Sequence, residues 1–179
     1  MRLSKSISGK YIILRTAEPS DAEFILSLRL DEKLSRYLKP TDPSVEKQKN
    51  WIAEKIKQPN DYHMIIELKD GKRLGVVALY DINNDVFEWG RWLIVPNSPI
   101  YVLIESCFLV YDFAFNTLGL NSTKSKVRKS NKSVLKFHLN YGAGIQKEDD
   151  KYVHITYHKN DFNSPNTFLK KYLKTIAKQ

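Results

Sequence analysis

The chain has 179 residues, 42% hydrophobic and 12% aromatic, a composition that supports one packed domain and excludes disorder along its whole length. Its 29 Lys and Arg against 20 Asp and Glu leave a formal charge of +9, which favours anionic partners: a nucleotide cofactor, nucleic acid or an acidic membrane surface. A single cysteine, Cys107, excludes a disulfide framework, points to a reducing compartment and reads as a small core residue within an apolar helical pattern.

Residues 1–15 carry two early cations, but the apolar run Tyr11-Ile12-Ile13-Leu14 is too short for a secretory signal, and a cytoplasmic protein is expected. Residues 10–16 are strand-like. Pro19-Ser20-Asp21 then opens a helix with Ala22, Ile25, Leu26, Leu28 and Leu30 apolar, before a charged stretch from Asp31. Pro40, Asp42 and Pro43 mark a loop. Ser44, with Lys47 and Gln48, begins a second helix through Trp51, Ile52 and Ile56, which Pro59 and Asn60 end.

The period then changes. Residues 63–68, 74–80 and 86–95 alternate as strands, with Asp70-Gly71 as a hairpin turn and Asn83-Asn84-Asp85 as a second reversal, so an antiparallel meander is predicted. Residues 100–118 are apolar at 100, 104, 108, 111, 115 and 118 and again at 103, 107, 110 and 114. Such a helix packs on more than one side. Glu105, Ser106, Asp112 and Asn116 interrupt it, which argues against a membrane span. A strand over 122–127, a helix over 131–141 ended by Gly142, and a strand over 152–157 follow. Asn163-Ser164-Pro165 caps a basic amphipathic helix over 163–178. The predicted class is α+β: a mixed, mainly antiparallel central sheet flanked by helices in three layers, within a single domain over 1–179.

This order of elements, together with Gly75-Val76-Val77, Glu88-Trp89-Gly90-Arg91-Trp92, Tyr111-Asp112-Phe113-Ala114-Phe115, Leu118-Gly119-Leu120, and Asn131 with Ser133 ahead of Phe137-His138 and Tyr141-Gly142, resembles the GCN5-related N-acetyltransferases. The resemblance runs from about Leu14 to about Tyr157. Leu14-Arg15 and Trp51 resemble two branches in particular. One acetylates ribosomal-protein N-termini; the other acetylates the amine of a nucleotide-linked amino sugar, and Gln48-Lys49-Asn50-Trp51 with residues 29–38 is closer to it.

The resemblance implies acetyl-CoA as donor and an amine-bearing small molecule as acceptor. In that family a glycine pair usually opens the helix beneath the pyrophosphate, because glycine lets backbone amides approach closely. Here the matching residues are Asn97-Ser98-Pro99-Ile100-Tyr101-Val102, without glycine. The amides of Ile100, Tyr101, Val102 and Leu103 still lack partners in a first helical turn and suit phosphate oxygens, although Pro99 equally fits an ordinary helix start.

Amine acetylation needs a neutral amine, donors for an oxyanion and a proton for the departing thiolate. By resemblance, Leu93, Ile94 and Val95 offer backbone groups to the pantetheine arm and the oxyanion. His138 falls where the family commonly places a tyrosine that protonates the thiolate, and an imidazole of pKa about 6.5 suits a thiol of about 8.5; a buried, satisfied histidine is the alternative. Asn131 and Ser133 contact the cofactor arm or merely begin the helix. Glu88 is the base, acting through water, or a solvated strand-end carboxylate. A regular strand puts it on the face of Gly90, Trp92 and Ile94, and a bulge reverses that. Trp92 and Tyr37 floor the acceptor cleft, or bury area; Arg29 and Arg36 pair with acceptor phosphates, or are solvated.

His154 and His158 have strand spacing and no cysteine nearby, so no metal is expected. A non-catalytic module for an anionic partner stays open through the charge and through Lys170, Lys171, Lys174 and Lys178. The interleaved Phe168, Leu169, Tyr172, Leu173 and Ile176 instead suit docking on the domain or on a second copy in a homodimer, which argues against nucleic acid as the partner.

Overall fold

In a computed structural model, which describes residues 1–165, 169–171, 173 and 174, the strands follow the turn chemistry of the sequence. Asn84 and Asp85 both adopt positive φ, 45° and 64°, the geometry of a two-residue hairpin whose twist matches its strands. Gly71 turns the preceding hairpin at φ 86°. Contacts divide the chain into Met1–Ile82 with Trp89–Val110, and Asn83–Glu88 with Tyr111–Gln179.

The strands β1 (Ile7–Ser8), β2 (Ile12–Thr16), β3 (Tyr62–Leu68), β4 (Arg73–Asn83) and β5 (Val86–Ile94), which belong to the first unit except for residues 83–88, are neighbours in that order, with β1–β2, β2–β3 and β3–β4 antiparallel. After a tight turn at Pro19–Asp21 come α1 (Ala22–Leu30), the short α2 (Glu32–Ser35) and α3 (Val45–Lys57). The charged stretch after Asp31 was not legible as a helix, but Asp31 caps one by accepting the amides of Lys33 and Leu34. The Ser44 side chain accepts the Lys47 amide and starts α3 as expected. Ile25 and Leu28 of α1 and Ile52 of α3 cover Ile65, Val76 and Leu93 of the sheet, and this apolar burial holds the layer together.

Two buried carboxylates fix the connections. Asp21 accepts both terminal nitrogens of Arg15, at 2.7 and 2.9 Å, and Arg15 Nε also donates to Glu67 at 2.8 Å. Arg15 therefore ties β2 and β3 to the start of α1. Glu105 sits on α4 (Ile100–Asp112) and accepts the amides of Lys10, Tyr11 and Ile12, at 2.6, 3.0 and 3.1 Å. The polar interruption in the apolar helix is thus the acceptor for the start of β2.

In the second unit Val86 and Phe87 pair in parallel with β6 (Ser122–Thr123). A separate antiparallel sheet has the order β7 (Ser125–Arg128), β9 (Tyr152–Thr156), β8 (Gly144–Glu148). The single strand expected over 122–127 is therefore two, parted at Lys124, whose amide turns to the Phe87 carbonyl at 2.9 Å. β8 gave no signal because its five residues are all exposed. Val134 and Leu135 of α5 (Lys132–Tyr141) pack on Val127, Val153 and Ile155.

The expected helix over 100–118 changes character near its end: α4 stops at Asp112, and Phe113–Thr117 form a π turn closed by the Leu118 amide on the Phe113 carbonyl at 2.9 Å. The wider turn admits Phe115 to a cluster with Phe87, Tyr111 and Phe162. Ile100–Thr117 is long and apolar enough to cross a membrane, yet 61% of it is buried inside the protein, as in a core helix. At the C-terminal end, Asn163 closes a short α6 (Lys159–Asn163) rather than capping a longer helix. Residues 169–171, 173 and 174 are helical and Leu169 is fully buried, whereas Phe168, Tyr172, Ile176 and Lys178 of the expected helix lie outside the described residues.

Candidate functional site

The end of β5 departs from a regular strand. Arg91 has φ 48°, and the rings of Trp89 and Trp92, three residues apart, meet at 5.5 Å. Side chains three apart share a face only across a bulge. The regular alternation that grouped Glu88 with Gly90, Trp92 and Ile94 is thus broken at Arg91. Trp92 Nε1 donates to Ser106 Oγ of α4 at 3.2 Å, while the Arg91 guanidinium lies over the rings of Tyr80 and Trp51, at 4.3 and 5.6 Å. The Trp92 indole N–H accordingly faces α4.

Beyond the bulge, the Val95 amide donates to the Leu74 carbonyl at 2.8 Å, and the Val95 carbonyl accepts both the Ser98 amide at 3.2 Å and Ser98 Oγ at 2.7 Å. Both backbone groups of Val95 are therefore taken, a correction to the expectation that they serve a pantetheine arm. Asn97 adopts φ 61°, a left-handed conformation that asparagine tolerates, so the turn closes without glycine. The Val102 amide already donates to the Pro99 carbonyl at 2.9 Å and is not available to phosphate, which narrows the expected set Ile100, Tyr101, Val102 and Leu103. The first turn of α4 has no acidic residue, and Ile100 is exposed, so an anion can approach the positive end of the helix dipole. These features fit a pyrophosphate-bearing donor.

A second cluster lies in the first unit. Asp61 accepts Arg91 at 2.9 and 3.1 Å and Lys55 at 2.9 Å. His63 meets Trp51 edge-on, with ring centroids 5.0 Å apart. His63 is buried, and neither ring nitrogen has a hydrogen-bond partner among the described residues. Burial first, then the nearby Arg91, push its pKa down to about 3 against the opposing pull of Asp61. Arg29 is half-buried and donates to two neutral oxygens, Thr41 Oγ1 at 2.6 Å and the Lys39 carbonyl at 3.4 Å; burial and the neighbouring Arg91 hold its pKa below the usual value. Arg36 is exposed over the Tyr37 ring at 5.5 Å. The sequence named Arg29, Arg36 and Tyr37 but not His63, Arg91 or Asp61, because a histidine beginning an apolar strand carries no signal of its own and a bulge is invisible in strand alternation.

In the second unit, Asn131 occupies the position before α5 without capping it through its side chain, and Ser133 Oγ donates to Asn131 Oδ1 at 3.4 Å. His138 is buried, and burial pushes its pKa down to about 4. The ordinary imidazole pKa of about 6.5, on which the expected proton donation rests, is therefore lowered, and the ring is neutral near pH 7. Glu88 is half-buried. Among the described residues no group of three or more His, Cys, Asp or Glu could hold a metal ion; His154 Nε2 is bonded to Asp149 at 2.7 Å.

Comparison with known proteins accords with this architecture. A family model described as an acetyltransferase (GNAT) domain matches residues 12–143. The structure of apo FdhC, a nucleotide-linked sugar GNAT, is 32% identical and superposes with a TM-score of 0.81, covering 90% of this chain and 94% of its own. Spermidine N-acetyltransferase from Vibrio cholerae, solved with CoA and spermine, is 16% identical with a TM-score of 0.77, covering 87% of this chain and 99% of its own. A ribosomal-protein-serine acetyltransferase from Vibrio cholerae, named as such provisionally, is 15% identical with a TM-score of 0.74, over 88% and 99%. No curated protein sequence matches the chain. The chain belongs to the GCN5-related N-acetyltransferase (GNAT) family and is an acetyl-CoA-dependent N-acetyltransferase.

Proposed function

We infer that the acceptor is the amino group of a nucleotide-linked amino sugar. The observation that carries this reading is the 32% identity to a nucleotide-linked sugar GNAT across nine tenths of the chain; the similarities to polyamine and ribosomal-protein enzymes are half as strong and speak for the fold. The family model spans residues of both compact units, which supports treating the chain as one acetyltransferase domain. The enzyme works in the cytoplasm and needs no metal.

Acetyl-CoA supplies an acyl thioester. The first turn of α4, with Asn97, Ile100, Tyr101 and Leu103, holds its pyrophosphate, and the backbone of Leu93 and Ile94 aligns its pantetheine arm; Asn131 and Ser133 are further candidates for contact with that arm. The neutral amine adds to the thioester carbonyl, the C–S bond breaks, and the proton lost by the amine balances the one the thiolate gains. Glu88 receives the amine proton through water. His138, neutral at working pH, donates its ring N–H as a hydrogen bond to the leaving sulfur, and the thiolate takes its proton from solvent.

The test is an acceptor panel with acetyl-CoA, followed by thiol release: nucleotide amino sugars, free amino sugars, spermidine and peptides with free N-termini. Turnover of nucleotide amino sugars above the others supports the reading. Preference for peptides would replace it with the ribosomal-protein type of activity.

A further inference from the structure

The cluster around His63 has more positive charge than its own carboxylate neutralises. Asp61 is shared by Arg91 and Lys55, and Arg29 has no carboxylate partner among the described residues. One carboxylate therefore faces three cationic side chains, and the charge of Arg91 adds to burial in lowering the pKa of Arg29. The His63 ring is buried against Trp51, and neither its nitrogens nor the amide nitrogen of buried Gln48, one turn before Trp51 and Ile52 on α3, has a hydrogen-bond partner among the described residues. Buried polar groups normally find partners, and leaving several unpartnered beside half-buried cations is unfavourable without an occupant. Half-buried guanidinium groups suit the planar, bidentate recognition of phosphate oxygens.

We propose that Arg29, Arg91 and the His63 imidazole form a subsite for the phosphoryl group of the acceptor, walled on one side by the Trp51 ring. This rests on the nucleotide-linked acceptor inferred above and says where its anionic part binds. Arg91 precedes Ile94 by three residues, at most about 10 Å of chain given the bulge at Arg91. A sugar ring joined to a phosphate is of that scale, so an acceptor held by its phosphate near Arg91 brings a ring amine toward the end of the strand. The Arg91–Asp61 pair keeps the guanidinium in place before the ligand arrives, and the neutral His63 donates one hydrogen bond without adding a third desolvated charge.

The experiment is calorimetric titration of the full chain at low salt with UDP, dTDP, GDP and inorganic pyrophosphate, for the wild type, Arg29→Gln, Arg29→Lys and His63→Phe. Arg29→Gln leaves the Asp61 pairs intact. At least one nucleoside diphosphate should bind saturably, with affinity reduced tenfold or more in Arg29→Gln, partly restored in Arg29→Lys and reduced in His63→Phe, while acetyl-CoA affinity stays unchanged. Binding should persist with CoA present in excess; displacement by CoA would mean that the anion measured is the donor's pyrophosphate and would overturn the subsite. Equal affinity in Arg29→Gln and the wild type would also overturn it. Failure of the acceptor reading looks different: nucleoside diphosphate would still bind in an Arg29-dependent way, but no nucleotide amino sugar would be acetylated.

Discussion

The carboxylate of Glu105, inside the most apolar helix of the chain, accepts the backbone amide of Lys10 at 2.6 Å. With the amides of Tyr11 and Ile12 it makes one side chain the partner of three consecutive donors. Glu105→Ala removes the acceptor of those three donors in a site of 2% exposure and should destabilise the protein by about 3 kcal/mol, with Glu105→Gln intermediate. Equilibrium denaturation checks this; a shift below about 0.5 kcal/mol for the alanine variant would mean that water replaces the carboxylate.

Gly75 permits the close approach of β4 and β5. A Cβ there would lie 2.9 Å from Ile94 Cδ1 and 3.2 Å from Ile94 Cα, with the Leu93 carbonyl oxygen closer still. Gly75→Ala should therefore push away the strand end proposed to align the pantetheine arm, weakening acetyl-CoA binding at least tenfold and lowering the thermal midpoint. Unchanged acetyl-CoA affinity, read by calorimetry, would detach that strand end from donor binding.

Acid should destabilise the fold through its buried histidines. His63 and His138 have folded pKa values of about 3 and about 4, below the ordinary 6.5, so the unfolded chain takes up protons first as pH falls. The neutral rings are fully accommodated above about pH 6.5, and stability declines from there toward pH 4, by up to about 2 kcal/mol per histidine at pH 5. Denaturation at pH 7 and pH 5 should show a smaller difference for His63→Phe than for the wild type. At pH 7 that variant should be as stable as the wild type or more so, because it removes a buried ring whose nitrogens have no hydrogen-bond partner among the described residues. A large loss of stability at pH 7 would assign His63 a structural role and weaken its place in a ligand subsite.

His138→Phe separates the roles open to that residue. A hydrogen bond to the leaving sulfur matters only as the C–S bond breaks, so kcat should fall tenfold or more with little change in acetyl-CoA affinity. Because the ring is neutral well above its pKa, the wild-type rate should show no decline between pH 6 and pH 8 attributable to its deprotonation. Equal turnover in the variant would remove His138 from the chemistry.

The outline of the fold was legible because its signals are local. Ser44 as a cap, Gly71 and the Asn84-Asp85 pair as turns and the apolar period of residues 100–118 each act within a few residues. The exposed strand β8 and the division at Lys124 were not, since neither alternation nor turn residues mark them. At the candidate site, sequence reasoning located the turn after β5 but misjudged which amides are free, because Ser98 and Asn97 close it through side-chain and left-handed geometry rather than glycine. It missed His63 and Arg91 because their significance comes from neighbours far along the chain: Trp51, Asp61 and Arg29.

The central claim concerns the acceptor, and the most direct measurement compares kcat/KM for a nucleotide-linked amino sugar with that for the same amino sugar lacking the nucleotide, at saturating acetyl-CoA. The account predicts a preference of a hundredfold or more for the nucleotide-linked form, about 2.7 kcal/mol of binding directed at the anionic half of the acceptor. Equal values for the two acceptors would contradict it.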